Sequence, residues 1–483
     1  MSKSIVKNAG MNILHRFLSV VFPLISSMYV SRTLGVSGVG EVASAQNLVT
    51  YFTFVSALGI PTYGVREIAK TKTNHQECNK VFSELFCINF ISTTLSLIAY
   101  YITIFLVNRG GQVSVIHYTF SALIALNYFN IEWMYQGFED YKYITIRSVA
   151  IKITALLLML LFVRGEEDVL PYTLCICFGT AGNNILNMVK MNRYVYFSFS
   201  GLHLKKHMNA ILTLFASTIA IELYSLLDTT MLTVMSNTKT VGYYTNAVKI
   251  VKIAASMITA LGGVLLPRLS LYFQQEDRDA IRSTMQQFFD LITLLCIPSC
   301  VGLCLVANAL TVTLFGENFL PSAMTIRILA PLVIFMPMSA FFSQIVLTVG
   351  REKDYFFSVA AGTVINAILN AILIPIFFQN GAAIASVATE FIILVAMCFA
   401  AQRVQHISYL SGQTIGMIVS ALTMAVVIIM TNQIICAMPW PLVLVIQIVV
   451  GGITYALMLI ILKNKQIYDL IERQKKAANK NPH

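Results

Sequence analysis

Charged residues are scarce in this sequence: Asp, Glu, Lys and Arg make up 11% of its 483 residues, against roughly 25% in ordinary soluble domains. Hydrophobic residues make up 57%, and the mean hydropathy is +0.74. Apolar runs of about 20 residues recur, the length that a helix needs to cross a bilayer. The alternating blocks of an outer-membrane barrel are missing. The composition excludes a soluble globular domain and predicts an all-α polytopic membrane protein.

Catalytic and metal-binding patterns are also missing. The sequence has no nucleophile elbow, no HExxH and no P-loop, and the outward loops are too short to build an external active site. Cys296, Cys300 and Cys304 share a helix face, but no His or carboxylate joins them at ligand spacing, which favours small-residue packing. The net charge of +11 is dispersed among loops and predicts no nucleic-acid partner. We therefore expect no enzyme and no cofactor.

Windows of about 19 residues predict fourteen transmembrane helices. They lie near residues 9–31, 40–63, 81–107, 113–137, 144–163, 169–190, 209–235, 242–266, 284–314, 323–349, 355–378, 381–401, 413–435 and 440–462. Most of the 33 Lys and Arg residues fall on the side of the N-terminus. The positive-inside rule thus predicts that both termini are cytoplasmic and that the first helix is uncleaved.

A weak internal repeat divides the predicted helices. "VGEVASAQNLV" (residues 39–49) aligns with "VGYYTNAVKIV" (residues 241–251), and the even number of helices between them makes the two copies parallel. This predicts an N-lobe of helices 1–6 (1–200), a C-lobe of helices 7–12 (201–401), appended helices 13 and 14 (402–462) and a basic cytoplasmic tail (463–483). The tail is expected to be attracted to anionic lipid headgroups.

Three predicted spans carry polar stripes at helical spacing, which must face protein or water rather than lipid. For the neutral residues, an interhelical hydrogen-bonding seam and the wall of an aqueous cavity are equally compatible. The stripes are Asn12, Arg16 and Ser19 on the first span, Ser44, Asn47 and Tyr51 on the second, and Asn246, Lys249, Lys252 and Ser256 on the eighth.

Lys249 and Lys252 are the most informative residues of these stripes, because a lysine at the helix centre costs roughly 2.5 to 3.5 kcal/mol. Two interpretations stay open. On the preceding span, Asp228 lies at a depth similar to that of Lys249, and Glu222 is offset from Lys252 by about three residues, so two ion pairs could form. Alternatively, at least one lysine faces an anionic ligand, and the offset in depth makes Lys252 the better candidate.

Several segments resemble the polysaccharide transporter (Wzx-type flippase) branch of the multidrug/oligosaccharidyl-lipid/polysaccharide (MOP) exporter superfamily. The likeness extends from about residue 5 to residue 400, and it depends on the order and spacing of the segments. They include "SRTLGVSGVGEVASAQ", "SALGIPTYGVREIAK", "IEWMYQGFEDYKYI", "LDTTMLTVMSNTKTVGYYTNAVKI", "LLPRLS" and the run from "RILAPLVIF" to "GAAIASVATE".

The resemblance implies a two-lobed, fourteen-helix flippase of the bacterial inner membrane that moves an undecaprenyl-diphosphate-linked oligosaccharide, for O-antigen or capsule, to the periplasmic leaflet. It implies a cationic cleft for the diphosphate. A polymerase and the chain-length machinery are candidate protein partners. Arg327, which begins "RILAP", is interpreted as structural. The candidate substrate-binding residues by position are Arg16, Arg32, Arg66, Lys249 and Lys252.

Two alternatives within the superfamily stay open, a cation-coupled multidrug antiporter and a lipid II-type flippase. The cationic stripes disfavour the antiporter, whose cavity should be acidic. Asp228 and Glu390 are candidates for energy coupling by H⁺ or Na⁺, although a hydrogen-bonded helix contact is the simpler explanation of these residues. The sequence predicts neither the sugar nor the coupling ion.

Overall fold

The computed structural model describes residues 21–107, 114–260, 277–404, 411–435 and 437–466, together with 269, 271–273, 275 and 468. These residues are overwhelmingly helical. Ten helices among them are long and apolar enough to cross a membrane. The predicted all-α polytopic membrane fold is confirmed. Most of the first predicted span, near 9–31, and Arg16 with it, lie outside the described residues.

The chain divides into two compact units, Met1–Gly242 and Tyr243–His483. The described part of the first unit contains nine α-helices and the beginning of a tenth. In chain order they are α1 (residues 21–33), α2 (Gly35–Ala57), α3 (Ile60–Thr71), α4 (His75–Val107), α5 (Val115–Ala125), α6 (Glu132–Gly137), α7 (Tyr141–Phe162), α8 (Val169–Asn187), α9 (Lys205–Met235) and α10 (Thr238–Thr259).

The second unit begins within α10, and its further helices pack both as sequential neighbours and across the unit, where α11 packs on α16 and α17, and α13 packs on α15. Helix α14 packs on α15, and α16 packs on α17. The helices are α11 (Arg278–Phe315), α12 (Ser322–Leu329), α13 (Leu332–Thr348), α14 (Glu352–Phe377), α15 (Gln379–Gln402), α16 (Gly412–Ile435) and α17 (Trp440–Ile461). The predicted boundary between the two transporter lobes, at 200/201, concerns the internal repeat rather than these two units, and it stays a prediction.

Three predicted spans are interrupted within the described residues. The span near 40–63 divides between α2 and α3 at Leu58 and Gly59, which both have positive φ. The span near 113–137 is α5, a 3₁₀ turn (Leu126–Phe129) and α6. The interruption is stabilised by Asn89 of α4, whose amide donates to the Asn127 carbonyl at 2.7 Å, while the Asn127 amide donates back to Asn89 Oδ1 at 3.0 Å. A backbone group freed within a membrane needs such a partner. The span near 323–349 divides at Pro331, which has no N–H to continue the helix.

The core of the first unit is aromatic. Trp133, Phe82 and Tyr135 are each almost fully buried, and Phe82 and Trp133 have ring centroids 5.7 Å apart. Gly64 of α3 lies beneath the indole, since a Cβ there would be 2.5 Å from Trp133 Cε3. This core fixes α3, α4 and α6 against one another. The same helices, with α9, hold the buried histidine cluster described below.

A close crossing joins α2 to the first turn of α10. A Cβ on Gly40 would lie 1.7 Å from the Thr238 carbonyl oxygen, and a Cβ on Gly242 would lie 2.3 Å from that of Val36. Gly40 and Gly242 hold the same position in the two repeat copies, as do Val36 and Thr238. The contact is therefore reciprocal, and it depends on glycine because only backbone can approach backbone this closely.

Candidate substrate site and buried charges

The polar stripe of α2 is a hydrogen-bonding seam with α9. Asn47 Nδ2 donates to Thr230 Oγ1 at 2.7 Å, and the Tyr51 hydroxyl lies 2.6 Å from the same oxygen. One turn away, Thr233 Oγ1 donates to Ser44 Oγ at 3.1 Å. Of the two interpretations of this stripe, the interhelical seam is the one these contacts support. Neutral side chains commonly join membrane helices in this way.

The predicted acidic residues lie in different environments. Glu222 and Asp228 are half-buried on α9, and Asp228 precedes the seam residue Thr230 by two positions. Glu390 is 8% exposed on α15. It lies one turn after Ser386, whose hydroxyl is 3.1 Å from the Tyr244 hydroxyl of α10. All three acidic residues make further interactions.

The two lysines of α10 belong to the second unit. Exposure increases along their stripe: Asn246 is buried, Lys249 is half-buried, and Lys252 and Ser256 are exposed. Within the described part of this unit, neither ammonium group lies within ion-pair distance of a carboxylate. Pairing of the lysines with Asp228 and Glu222 stays a prediction. The arrangement leaves two cations on one face of a helix that is anchored at its other end by Tyr243 and Tyr244.

The predicted arginines of the first unit lie near helix ends. Arg32 is exposed close to the end of α1 and makes an interaction of its own. Arg66 is exposed on α3, where its guanidinium lies 5.3 Å from the centre of the Tyr63 ring and its Nε lies 3.4 Å from Glu67 Oε1. These contacts fit an anchoring role for Arg66. Substrate binding by Arg32 and Arg66 stays a prediction.

Two further arginines join helices. Arg147 of α7 is 4% exposed. It donates to Glu132 Oε2 at 2.8 Å and also binds Asn187 Oδ1 of α8. Arg327 of α12 donates to the Cys304 carbonyl at 3.2 Å and to Asn308 Oδ1 at 2.9 Å, both on α11. These contacts give both arginines a structural role, as the sequence suggests for Arg327.

A buried titratable cluster is missing from the sequence-based candidates. His207 of α9 is fully buried; its Nε2 lies 2.7 Å from Glu84 Oε2 and its Nδ1 lies 2.8 Å from the Tyr63 hydroxyl. Glu84 is 2% exposed. The available signal was a carboxylate within the predicted span 81–107, but its partner is far away along the chain.

Two titratable groups outside the spans have shifted pKa values. Asp168 Oδ2 accepts the backbone N–H groups of Arg164 and Gly165 at 2.7 and 2.9 Å, which lowers the pKa of this carboxyl. Burial and a hydrogen bond to Asp140 raise the pKa of Tyr194 to about 12. Asp168 orders the loop between α7 and α8, and Tyr194 connects the segment after α8 to the start of α7. Among the described residues, no group of three His, Cys, Asp or Glu side chains could hold a metal.

Comparisons with known proteins agree with this helical, transporter-like arrangement. The family model described as "Polysaccharide biosynthesis protein" matches residues 5–273, more than half of the chain. The model for "Lipid II flippase MurJ" matches residues 184–451. The chain is 23% identical over 404 residues to the "Putative O-antigen transporter" of Shigella dysenteriae, covering 80% of this chain and 98% of that protein.

Solved structures show the same fold. The inward closed conformation of lipid II flippase MurJ superimposes with a TM-score of 0.75 at 15% identity, over 95% of this chain and 99% of that one. An inward-facing multidrug resistance MATE family transporter of the MOP superfamily gives a TM-score of 0.67 at 13% identity, over 79% of this chain and 94% of that one. At these identities the likeness concerns the fold alone.

Proposed function

Because the chain belongs to the polysaccharide biosynthesis protein family, the Wzx-type flippases of the MOP superfamily, we propose that it moves an undecaprenyl-diphosphate-linked oligosaccharide from the cytoplasmic to the periplasmic leaflet. The diphosphate carries about two negative charges, and it must cross about 30 Å of hydrocarbon. A cationic, hydrated path replaces the water that this headgroup loses. The prenyl chain stays in lipid throughout.

The lysine pair of α10 is the observation that carries this proposal. Both ammonium groups lie on one helix face, and they have no carboxylate partner in the described part of their unit. An ammonium kept in a membrane protein without a nearby acid is best explained by a ligand that supplies the negative charge. Arg16, Arg32 and Arg66 are proposed to extend this cationic path. A cationic path disfavours an organic-cation antiporter, because it would repel a positively charged substrate.

Alternating access supplies the movement in this proposal. The two-lobed architecture that the family resemblance implies supports a mechanism in which one lobe rocks against the other about the bound headgroup. Asp228, Glu222 and Glu390 are proposed to couple this motion to H⁺ or Na⁺, or to act as buried ion-pair partners. The transport cycle itself requires no covalent chemistry.

The distribution of Lys and Arg and the nature of the cargo support a membrane location and protein partners for the proposed transport cycle. The excess of Lys and Arg on the side of the N-terminus favours cytoplasmic termini in a bacterial inner membrane. A lipid-linked repeat unit that reaches the periplasmic leaflet must next be polymerised. A polymerase and the chain-length machinery are therefore proposed as protein partners. The basic tail, 463–483, favours association with anionic lipid.

Alanine substitution tests the cationic path. We expect Arg16→Ala, Lys249→Ala and Lys252→Ala to reduce surface glycan in a flippase-null strain at least tenfold, at unchanged amounts of membrane-inserted protein. Lys239→Ala is the matched control, because Lys239 is an exposed lysine at the start of the same helix; it should export normally. Full complementation by all three alanine variants would exclude the cationic path.

A further inference from the structure

The first turn of α9 carries a histidine enclosed by α3 and α4. Both ring nitrogens of His207 have a partner: Nε2 lies 2.7 Å from Glu84 Oε2, and Nδ1 lies 2.8 Å from the Tyr63 hydroxyl. The other carboxylate oxygen, Glu84 Oε1, accepts the backbone N–H of His203 at 2.7 Å. Glu84 therefore binds the beginning of α9 through the His207 side chain and through the backbone of His203, just before the helix.

This geometry accommodates one proton without losing a hydrogen bond. When the imidazole is neutral, Nε2–H donates to the carboxylate and Nδ1 accepts from the Tyr63 hydroxyl. When it is protonated, both ring N–H groups donate, and the Tyr63 oxygen accepts. Protonation places a positive charge directly beside the buried Glu84 carboxylate, and the attraction between these charges is stronger in low-dielectric surroundings than in water. By contrast, the Arg147 and Glu132 pair has no such freedom, because arginine stays charged.

Water can reach the carboxylate from one side. A cavity of about 380 Å³ opens at this end of α4, and Glu84 is part of its wall. One water molecule occupies roughly 30 Å³ of liquid, so the cavity has room for a short chain of waters. Its other lining residues are mainly polar: Asn74, Gln76, Glu77, Lys80, Val81, His203 and Lys206.

The charged neighbours of the cluster largely offset one another. Lys80 and Lys206 line the cavity with Glu77 and Glu84, and on α3 the Glu67 carboxylate is shared by Arg66 and Lys70. The charge in contact with the imidazole is therefore that of Glu84. The titratable or charged groups that face the cluster are Tyr63, Arg66 and Glu67 from α3, Glu77, Lys80 and Cys87 from α4, and His203 and Lys206 at the start of α9.

We propose that Tyr63, Glu84 and His207 form a proton-binding site that is filled from water in this cavity, with the bound proton on His207. The site is separate from Asp228 and Glu390, and it strengthens the hold of α4 on α9 when the proton is bound. It depends on no particular cargo, so the proposal stands or fails independently of glycan export.

Selective isotope labelling of histidine tests the site on the purified full-length protein. Over pH 5 to 9, the imidazole nitrogen shifts assigned to His207 should move from the protonated to the neutral pattern in the wild type. In Glu84→Gln the amide oxygen can accept the His203 N–H while its NH2 donates to Nε2 of the Nδ1–H tautomer; the negative charge is lost, so these shifts should stay neutral throughout. His75→Gln, which removes an exposed histidine at the start of α4, should leave the His207 titration unchanged.

Two results would overturn the proposal: a His207 signal that does not change between pH 5 and 9, or one that titrates equally in the wild type and in Glu84→Gln. The assignment normally depends on losing the signal in His207→Gln. If that variant fails to fold, Tyr63→Phe provides the second route, because loss of the hydroxyl partner must shift the Nδ1 signal of His207 alone.

Discussion

At the residue scale, the charges on the helices fall into two classes. Arg147, Arg327 and Glu84 bind named partners within their own unit, whereas Lys249 and Lys252 have no carboxylate partner in the described residues of theirs. A charge that is bound within its own unit contributes to folding, whereas Lys249 and Lys252, whose pairing with Asp228 and Glu222 stays a prediction, are the candidates for binding a ligand. The lysines of α10 are the residues on which transport should depend.

Lys252 should matter more to export than Lys249, because it is exposed whereas Lys249 is half-buried. We expect Lys252→Ala to lower the rate of surface glycan appearance further than Lys249→Ala, and Lys252→Arg to restore most of it, since arginine keeps the charge. Initial rates after induction, at matched protein levels, measure this. Equal rates for the alanine and arginine variants of Lys252 would show that its charge is not used.

Arg147 should contribute to stability rather than to substrate binding. Its removal leaves the largely buried Glu132 carboxylate without a cation, and breaking a buried pair from one side costs about 3 to 5 kcal/mol. Arg147→Ala should therefore markedly lower the thermal stability of the protein in detergent. Lys72→Ala is the matched control: its pair with Glu139 is exposed, and such pairs contribute about 0 to 1 kcal/mol. Equal melting of the two variants would refute the structural role.

At the element scale, helices are held together by small residues and hydrogen bonds, since lipid provides no hydrophobic drive for helices to associate. The crossing of α2 and α10 depends on Gly40 and Gly242, and the seam of α2 and α9 depends on Asn47 and Thr230. Both contacts lie on α2, which therefore fixes the two helices that lead towards the second unit.

The glycine crossing should tolerate no side chain. Gly40→Ala places a methyl group 1.7 Å from the Thr238 carbonyl oxygen, so the helices must separate, and we expect a strong loss of folded protein. Gly302→Ala is the control, because a Cβ there meets nothing within 4 Å, and alanine raises helix propensity by about 1 kcal/mol. Fluorescence-detected size exclusion compares the two. Normal folding of Gly40→Ala would contradict the close approach.

The seam can be measured by a double-mutant cycle. For Asn47→Ala and Thr230→Val, a coupling energy of about 0.6 to 1.7 kcal/mol is expected, the range observed for hydrogen bonds between membrane helices. Reversible unfolding in mixed micelles supplies the four stabilities. A coupling energy of zero would mean that the stripe faces water instead, the alternative that the sequence leaves open.

The sequence predicts the apolar helices because apolar length and helical period are local properties; ten of the fourteen predicted spans have a described helix that is long and apolar enough to cross a membrane. It does not predict the interruption at Asn127, since the stabilising amide belongs to Asn89 on another helix. For the same reason the sequence does not predict the contact between Glu84 and His207. Neither residue belongs to a local sequence pattern, and they meet only because α4 and α9 pack together. The repeat predicts that Gly40 and Gly242 correspond but not that they touch.

At the scale of the whole molecule, the family resemblance inferred from the sequence is confirmed. The fold is shared with lipid II flippase MurJ and with MATE transporters, so the fold alone does not choose between lipid-linked glycans and organic cations. The class of substrate depends on the charge of the proposed transport path. The lysines of α10 favour a substrate with an anionic headgroup.

The most direct measurement is translocation by the purified protein in liposomes. A fluorescent oligosaccharide linked to undecaprenyl diphosphate is incorporated, and a membrane-impermeant quencher reports the fraction in the outer leaflet. With the wild-type protein, we predict that lipid from the inner leaflet becomes accessible to the quencher over time, and that Lys249→Ala/Lys252→Ala largely abolishes this. Quenching by the wild type no faster than in protein-free liposomes would contradict the flippase account.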